Sequence, residues 1–290
     1  MTSHHPFMPL AAAAVTVALA TAGTMAGLHA ASAASPATTS TTMAGPASLG
    51  TAPASATTVA APLTGRPPAS LSVQAPPSPT SSRVFAAVAH AFTTMTKTTY
   101  QHHDVENGAA GTYYFDCVGL ANYFLSLGAP QALAALRAAE KVPAEDVPSP
   151  DHFADYLSQL PARGTSLWSV DRTVAQIQPG DLIVMRKVTR LVPRPFVGHA
   201  MIAASAPFLL SNGSYALNVF DSTGAPLHGT GDSRHWDPRT MGSGRNGPGS
   251  GLGMGTVQLW VSKTGAPERI SWWVGATPVP TPIVIARALH

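Results

Sequence analysis

The sequence predicts an α+β domain over residues 83–290, with helices first and an antiparallel sheet after them. Three observations lead there. Apolar side chains recur at helical spacing as far as Pro161. Beyond it, short runs rich in Val, Ile and aromatic residues alternate with turn residues. A single cysteine, Cys117, stands at the boundary between a loop and an apolar helical run.

The helices come in order. In "RVFAAVAHAFTTMTKT" (83–98), Val84, Val88, Phe92 and Met95 share one stripe. The segment "TYQHHDVENGAAGTYYFD" reads as a loop. "CVGLANYFLSLG" begins at Cys117, places Leu120, Phe124 and Leu127 on one stripe and stops at Gly128. "PQALAALRAAEKV" is a further helical run closed by Pro143. "SPDHFADYLSQLP" has Ser149 as N-cap, Pro150 at the first helical position and a stop at Pro161.

The strands follow as "GDLIVMRKV" (180–188), "HAMIAASA" (199–206), "SYALNVFDS" (214–222), "GTVQLWVSK" (255–263) and "RISWWVGA" (269–276). The tail opens with too many prolines to extend the sheet directly, and its Ile283–Ile285 run is expected as a final short strand.

Upstream lie two segments of different composition. The uncharged Ala/Val/Leu-rich run over 9–28, followed by Ala31-Ser32-Ala33, reads as an export signal over 1–33 with an A-x-A cleavage site. Its length leaves retention as a membrane anchor open. Residues 34–82 are almost wholly Ala, Ser, Thr, Pro and Gly, with Arg66 as their one charge. Such a stretch buries too little apolar surface to offset chain entropy and is expected as a disordered linker. The destination is the cell envelope or the exterior, with no stable membrane insertion once the signal is removed.

Charged residues make up 11% of the chain and the net charge is +3. The basic residues are scattered, which argues against a nucleic-acid partner. The lone thiol is more informative. Exported proteins commonly use cysteines in disulfide pairs, so Cys117 is a buried small hydrophobe, half of an intermolecular bridge, or a reactive group.

A thiol acts as nucleophile in its thiolate form, which a helix N-terminus and a basic neighbour both favour. Cys117 has the first, and backbone N–H groups there are candidates to hold an oxyanion. Of the 11 histidines, His199 stands after Gly198 at the start of an apolar strand. If 199–206 and 214–222 form a hairpin centred near residue 210, His199 faces Asp221 across it. Asp221 then accepts from His199 Nδ1, leaving Nε2 for the thiol. A one-residue slip would turn Asp221 away.

These residues carry a resemblance. "FDCVGL", then "QPGDLIVMR" and "VGHAMIA", resemble the NlpC-type peptidases, papain-like cysteine hydrolases of bacterial cell walls. The family pattern opens a helix with Asp-Cys-Ser-Gly-Leu, continues with a Pro-Gly-Asp-Leu strand, and places a His at the start of the next strand and a polar residue one strand later. Asp116, Cys117, Gly119, Leu120, Pro179, Gly180, Asp181, Leu182, His199 and Asp221 match it. Val118 stands where the family has Ser, the family's Tyr-x-x-Gly-Gly stretch is missing, and the gap from His199 to Asp221 is long.

The resemblance implies a papain-like fold and hydrolysis of an amide in peptidoglycan stem peptides. The catalytic set would be Cys117, His199 and Asp221, in a monomer that needs neither metal nor cofactor. It also implies a Tyr that helps bind the reacting carbonyl, with Tyr100 before Tyr113 or Tyr114, in a substrate site with Asp116, Val118 and Gly119. Acyl transfer or amidase chemistry on another substrate, and a catalytically inactive wall-binding module, are the alternatives. "GSGRNG" (242–247) reads as a loop over the cleft. His102, His103 and Asp104, like Asp232, His235 and Asp237, fit no metal-ligand frame and read as solvated loops. Trp260, Trp272 and Trp273 read as core or as a sugar-facing platform.

Overall fold

The computed structural model describes residues 81–186, 198–240 and 249–289, all within one compact unit. The expected signal, most of the expected linker and the 242–247 loop lie outside the described residues. The first helix, α1 (Ser81–Thr94), starts inside the segment expected as linker. It is followed by α2 (Cys117–Gly128), α3 (Pro130–Glu140) and α4 (Pro150–Gln159). Ser149 caps α4 by accepting from His152 N, and His152 Nδ1 accepts from Ser149 N in return.

Helix α2 buries Leu120, Ala121, Phe124, Leu125 and Gly128, whereas Leu127, expected on the buried stripe, is exposed. Gly128 explains the rotation. A Cβ there would lie 2.5 Å from the Val84 backbone nitrogen, so the glycine side is where α1 crosses closest.

The segment expected as a loop before Cys117 holds two short strands, β2 (Val105–Asn107) and β3 (Thr112–Tyr114), and a third, β1 (Lys97–Thr99), takes the end of the segment expected as the first helix, which stops at Thr94. They form a small sheet in which β3 is central, parallel to β1 and antiparallel to β2.

The main sheet is antiparallel throughout its described pairings. Its strands are β4 (Trp168–Val170), β5 (Leu182–Met185), β6 (His199–Ala203), β7 (Phe208–Leu209), β8 (Tyr215–Thr223), β9 (Gly251–Val261), β10 (Pro267–Ser271), β11 (Val279–Pro280) and β12 (Ile283–Ala288). Their order is β11-β10-β9-β8-β6-β5-β12-β4, with β7 pairing to β8. The tail strand therefore enters the sheet between β5 and β4. Pro280 sits in the two-residue edge strand β11 on β10, Pro278 and Pro282 lie outside the strands, and only Ile283–Ala288 enters between β5 and β4. Mixed α+β architecture with antiparallel pairing is thus observed.

The sheet carries a core on each face. Leu182, Val184, Ala200, Ile202 and Phe220 join the helices in one core. Ile183, Met185, Met201, Ala203 and Val219 form the other, and β10 curls back toward β12 around it. This explains why β5 and β6 read as continuous apolar runs instead of alternating.

Candidate active site

Cys117 is the first residue of α2 and Asp116 is its N-cap. Asp116 Oδ1 accepts from Val118 N at 3.0 Å and from Gly119 N at 2.8 Å. Those two N–H groups are thereby taken by the cap, which corrects the expectation that this stretch offers several amides to an oxyanion. Cys117 N–H, at the opening of the helix, has no intrahelical partner to lose. Gly119 serves packing: a Cβ there would lie 2.4 Å from both carboxyl oxygens of Asp104. Burial first, then Asp116 and Glu106, push the Asp104 carboxyl up to about 7 against the opposing pull of His102.

The Cys117 thiol is buried, 7% exposed, and lines the same cavity as His199, near enough for its charge to act on the imidazole. His199 opens β6 and presents Nε2 to Asp221 Oδ2 at 2.9 Å. The two ring nitrogens thus have the opposite assignment to the expected one. Nε2 binds the carboxylate and Nδ1 is left for the thiol. Trp272 packs edge-on against the His199 ring at 5.2 Å, which fixes its tilt.

Asp221 reaches His199 through a register different from the expected one. β6 and β8 pair Ile202 with Phe220 and Ala203 with Val219. Continuing that ladder puts Asp221 opposite Met201 and diagonal to His199. The tip beyond Ala203 absorbs the difference, since Leu210 N donates to Ser214 O and β7 pairs Leu209 with Tyr215. A two-residue shift keeps the face, so the pair survives.

Around this pair lies a cavity of about 350 Å³, lined by Tyr100, His102, Asp116, Cys117, Val118, Pro150, His199, Leu227 and Trp272. Tyr100 is the tyrosine in its wall; Tyr113 is buried in the helical core instead. Burial, then Cys117 and Asp116, push the Tyr100 hydroxyl well above its ordinary range, so it stays protonated and able to donate. His102 Nδ1 bonds Asp116 Oδ2 at 2.9 Å. A second cavity of about 750 Å³ shares His102, Asp116, Val118 and Pro150 with the first and extends past Asp104, Glu145 and His152.

No family model, curated protein or solved structure matches this chain.

Burial disfavours a charged His199, but Cys117 and Asp221 outweigh it and push its pKa up to about 10. Burial also disfavours a charged Asp221, yet Arg234, His228 and His199 hold its carboxyl well below the usual carboxylate range. An ionised Asp221 beneath a protonated His199 beside a thiol is the setting in which a thiolate–imidazolium pair forms.

Leu227, His228 and Arg234 carried no expectation from the sequence, while His102, read as a solvated loop residue, and Trp272, read as core or a platform, both line the cavity. From sequence, Asp232 and Asp237 also read as solvated loop residues. Both are buried and paired, Asp232 with Arg234 and Asp237 with Arg239. One signal was available: "GLGMG" places Gly251, Gly253 and Gly255 on one side of β9. A Cβ at 253 would meet the Arg234 guanidinium, and one at 255 the His228 ring. Among the described residues no group of three or more His, Cys, Asp or Glu is placed to hold a metal.

Proposed function

We propose that this chain is a papain-like cysteine hydrolase of the NlpC type that cleaves an amide bond in peptidoglycan stem peptides. The observation that carries the reading is the buried Cys117–His199–Asp221 line opening into a cavity. The motif order in the sequence supports the substrate class, and the export signal expected over 1–33 supports the compartment.

In this reading Cys117 Sγ attacks the scissile carbonyl carbon. The oxyanion is held by Cys117 N–H and the Tyr100 hydroxyl. His199 donates its proton to the leaving amine as the C–N bond breaks, which leaves a thioester on Cys117. His199 then takes a proton from water, water attacks the thioester, and the carboxylate product leaves with Cys117 restored. Asp221 orients His199 and stabilises its charge throughout. The neighbouring larger cavity gives an extended peptide room beyond the scissile bond.

The test is mass spectrometry of purified peptidoglycan after incubation with the chain and with Cys117→Ala. The reading expects new peptide fragments, each cut raising mass by one water, from the parent chain alone. An unchanged fragment pattern would reject it. The apolar wall of Val118, Pro150, Leu227 and Trp272 favours acyl transfer as the second reading. Under that reading the thioester is captured by an added amine in place of water.

A further inference from the structure

The Asp221 carboxylate collects more donors than a catalytic triad requires. Its Oδ2 faces His199 Nε2 at 2.9 Å and His228 Nε2 at 3.0 Å. Its Oδ1 accepts from Arg234 at 2.5 Å. The His228 side chain is fully buried, as are those of Asp221 and Arg234.

The protons of His228 follow from its partners. Its Nδ1 lies 3.0 Å from the carbonyl oxygen of Trp272, which can only accept, so Nδ1 carries a hydrogen. Its Nε2 faces a carboxylate oxygen that Arg234 keeps ionised, so Nε2 must donate as well. A neutral ring would point a lone pair at an anion 3.0 Å away, too near for a water between them, a costly arrangement in a buried site.

The surrounding charges agree. Asp232 Oδ2 accepts from the His228 backbone nitrogen at 3.1 Å, and Asp232 pairs with Arg234. β9 contributes Gly255 against the ring and no charge. Asp221 and Asp232 are thus balanced by Arg234 and a charged His228, with His199 and Cys117 adjoining as a separate pair. With a neutral His228, one negative charge would be left uncompensated beneath His199.

We propose that His228 is a second, doubly protonated imidazole on Asp221, a positioning residue that holds the carboxylate and sets the pH window of the Cys117–His199 pair. The proposal rests on the reading of Cys117 as a nucleophile. Its test needs no substrate, so failure to digest peptidoglycan rejects the proposed function without touching it.

The sign of the effect is definite. Taking a positive charge away from Asp221 stabilises protonated His199 and destabilises the Cys117 thiolate. Both inflections in the rate of Cys117 alkylation against pH should therefore move upward. Replacement by glutamine keeps one amide donor for Asp221 while removing the charge.

The experiment has two arms on the full chain. First, the ring ¹⁵N resonances of His228, assigned through bonds from its own Cβ, are followed from pH 5 to pH 9, a window chosen to span ordinary histidine titration. Two protonated nitrogens across neutrality are expected, and one protonated and one bare nitrogen at neutral pH would overturn the proposal. Second, iodoacetamide alkylation is compared in the parent and in folded His228→Gln. An upward shift of both inflections by about one pH unit is expected. A profile that keeps its inflections while only stability falls would mark His228 as structural and overturn its assigned role. If His228→Gln does not fold, the nitrogen resonances of the parent still decide the protonation.

Discussion

Two buried acid clusters sit in the same sheet and carry opposite charge balances. At the β6–β8 end, Asp221 receives two histidines and an arginine, and the excess of donors keeps its carboxylate ionised. At the β4–β12 end, Asp171 and Asp181 share Arg287, which bonds Asp181 at 2.8 and 2.9 Å but reaches Asp171 at 3.3 Å. Burial first, then the hydrogen bond and charge of Asp181, push Asp171 up to about 8 despite Arg287. The same residue type at similar burial is thus a fixed anion in one place and a proton holder in the other. The number of donors per carboxylate decides which. The first arrangement suits a group that must stay charged under the histidine proposed to be catalytic. The second ties β12 to the β4–β5 connection.

The largest expected effect of breaking this contrast is at Asp221. Asp221→Asn should lower hydrolysis by about 10²–10⁴-fold, as loss of the orienting carboxylate does in triads. It also leaves buried Arg234 with Asp232 as its remaining carboxylate, and removing one partner of a buried pair costs up to about 3–5 kcal/mol. Turnover and thermal unfolding of the same variant measure the two effects.

Next comes Gly253→Ala. The new Cβ would lie 2.4 Å from the Arg234 guanidinium carbon, which is locked by Gly251 O, Asp221 and Asp232. Overpacking of this kind costs about 1–3 kcal/mol, and activity should fall with it because Asp221 is pushed. A variant as stable and active as the parent would mean that the cluster is loosely held.

The pH profile sharpens the contrast from the other side. His199 is raised from its ordinary value to about 10, so its charged form persists below that pH and is lost as pH rises through it. Catalysis that depends on the ion pair should accordingly decline on the alkaline side near pH 10, well above the range of an ordinary histidine. A decline near neutrality would show that Cys117 and Asp221 do not together hold the charge on His199.

The smallest effect belongs to the second cluster. Asp171 is raised in the folded state, so the fold binds its proton more tightly than the unfolded chain does. Stability is then lost as pH rises from the free carboxyl range through about 8. Asp171→Asn should leave turnover unchanged, match the parent's melting temperature below about pH 4, and exceed it by a margin that grows until about pH 8. A variant that melts lower at every pH would show that Asp171 acts as an anion.

Much of this site was legible because it is written in local patterns. Cys117 follows a capping Asp116 and begins an apolar helix, and His199 begins an apolar strand. Asp221 was legible by counting along a hairpin, and survived a wrong register because the error was even. The charge cluster was not legible, since His228, Asp232 and Arg234 lie in short turns without periodicity. The start of β9 was missed for a related reason: its alternating glycines depress strand propensity while clearing space for those same side chains. β1, β2 and β3 are three residues each, too short to show a period. The insertion of β12 beside β5 is a long-range pairing that no local signal specifies.

The central claim is that His199 activates Cys117, and it is tested most directly by the rate at which iodoacetamide alkylates Cys117 at about pH 6, where an ordinary thiol is almost wholly protonated. Intact-mass spectrometry over time gives that rate without any knowledge of the substrate, because the chain has a single cysteine. The account predicts rapid alkylation in the parent and a fall of about tenfold or more in His199→Ala, where the positive partner is gone and the helix start remains. Slow alkylation, equal in the parent and in His199→Ala, would make Cys117 a packing residue and contradict the account.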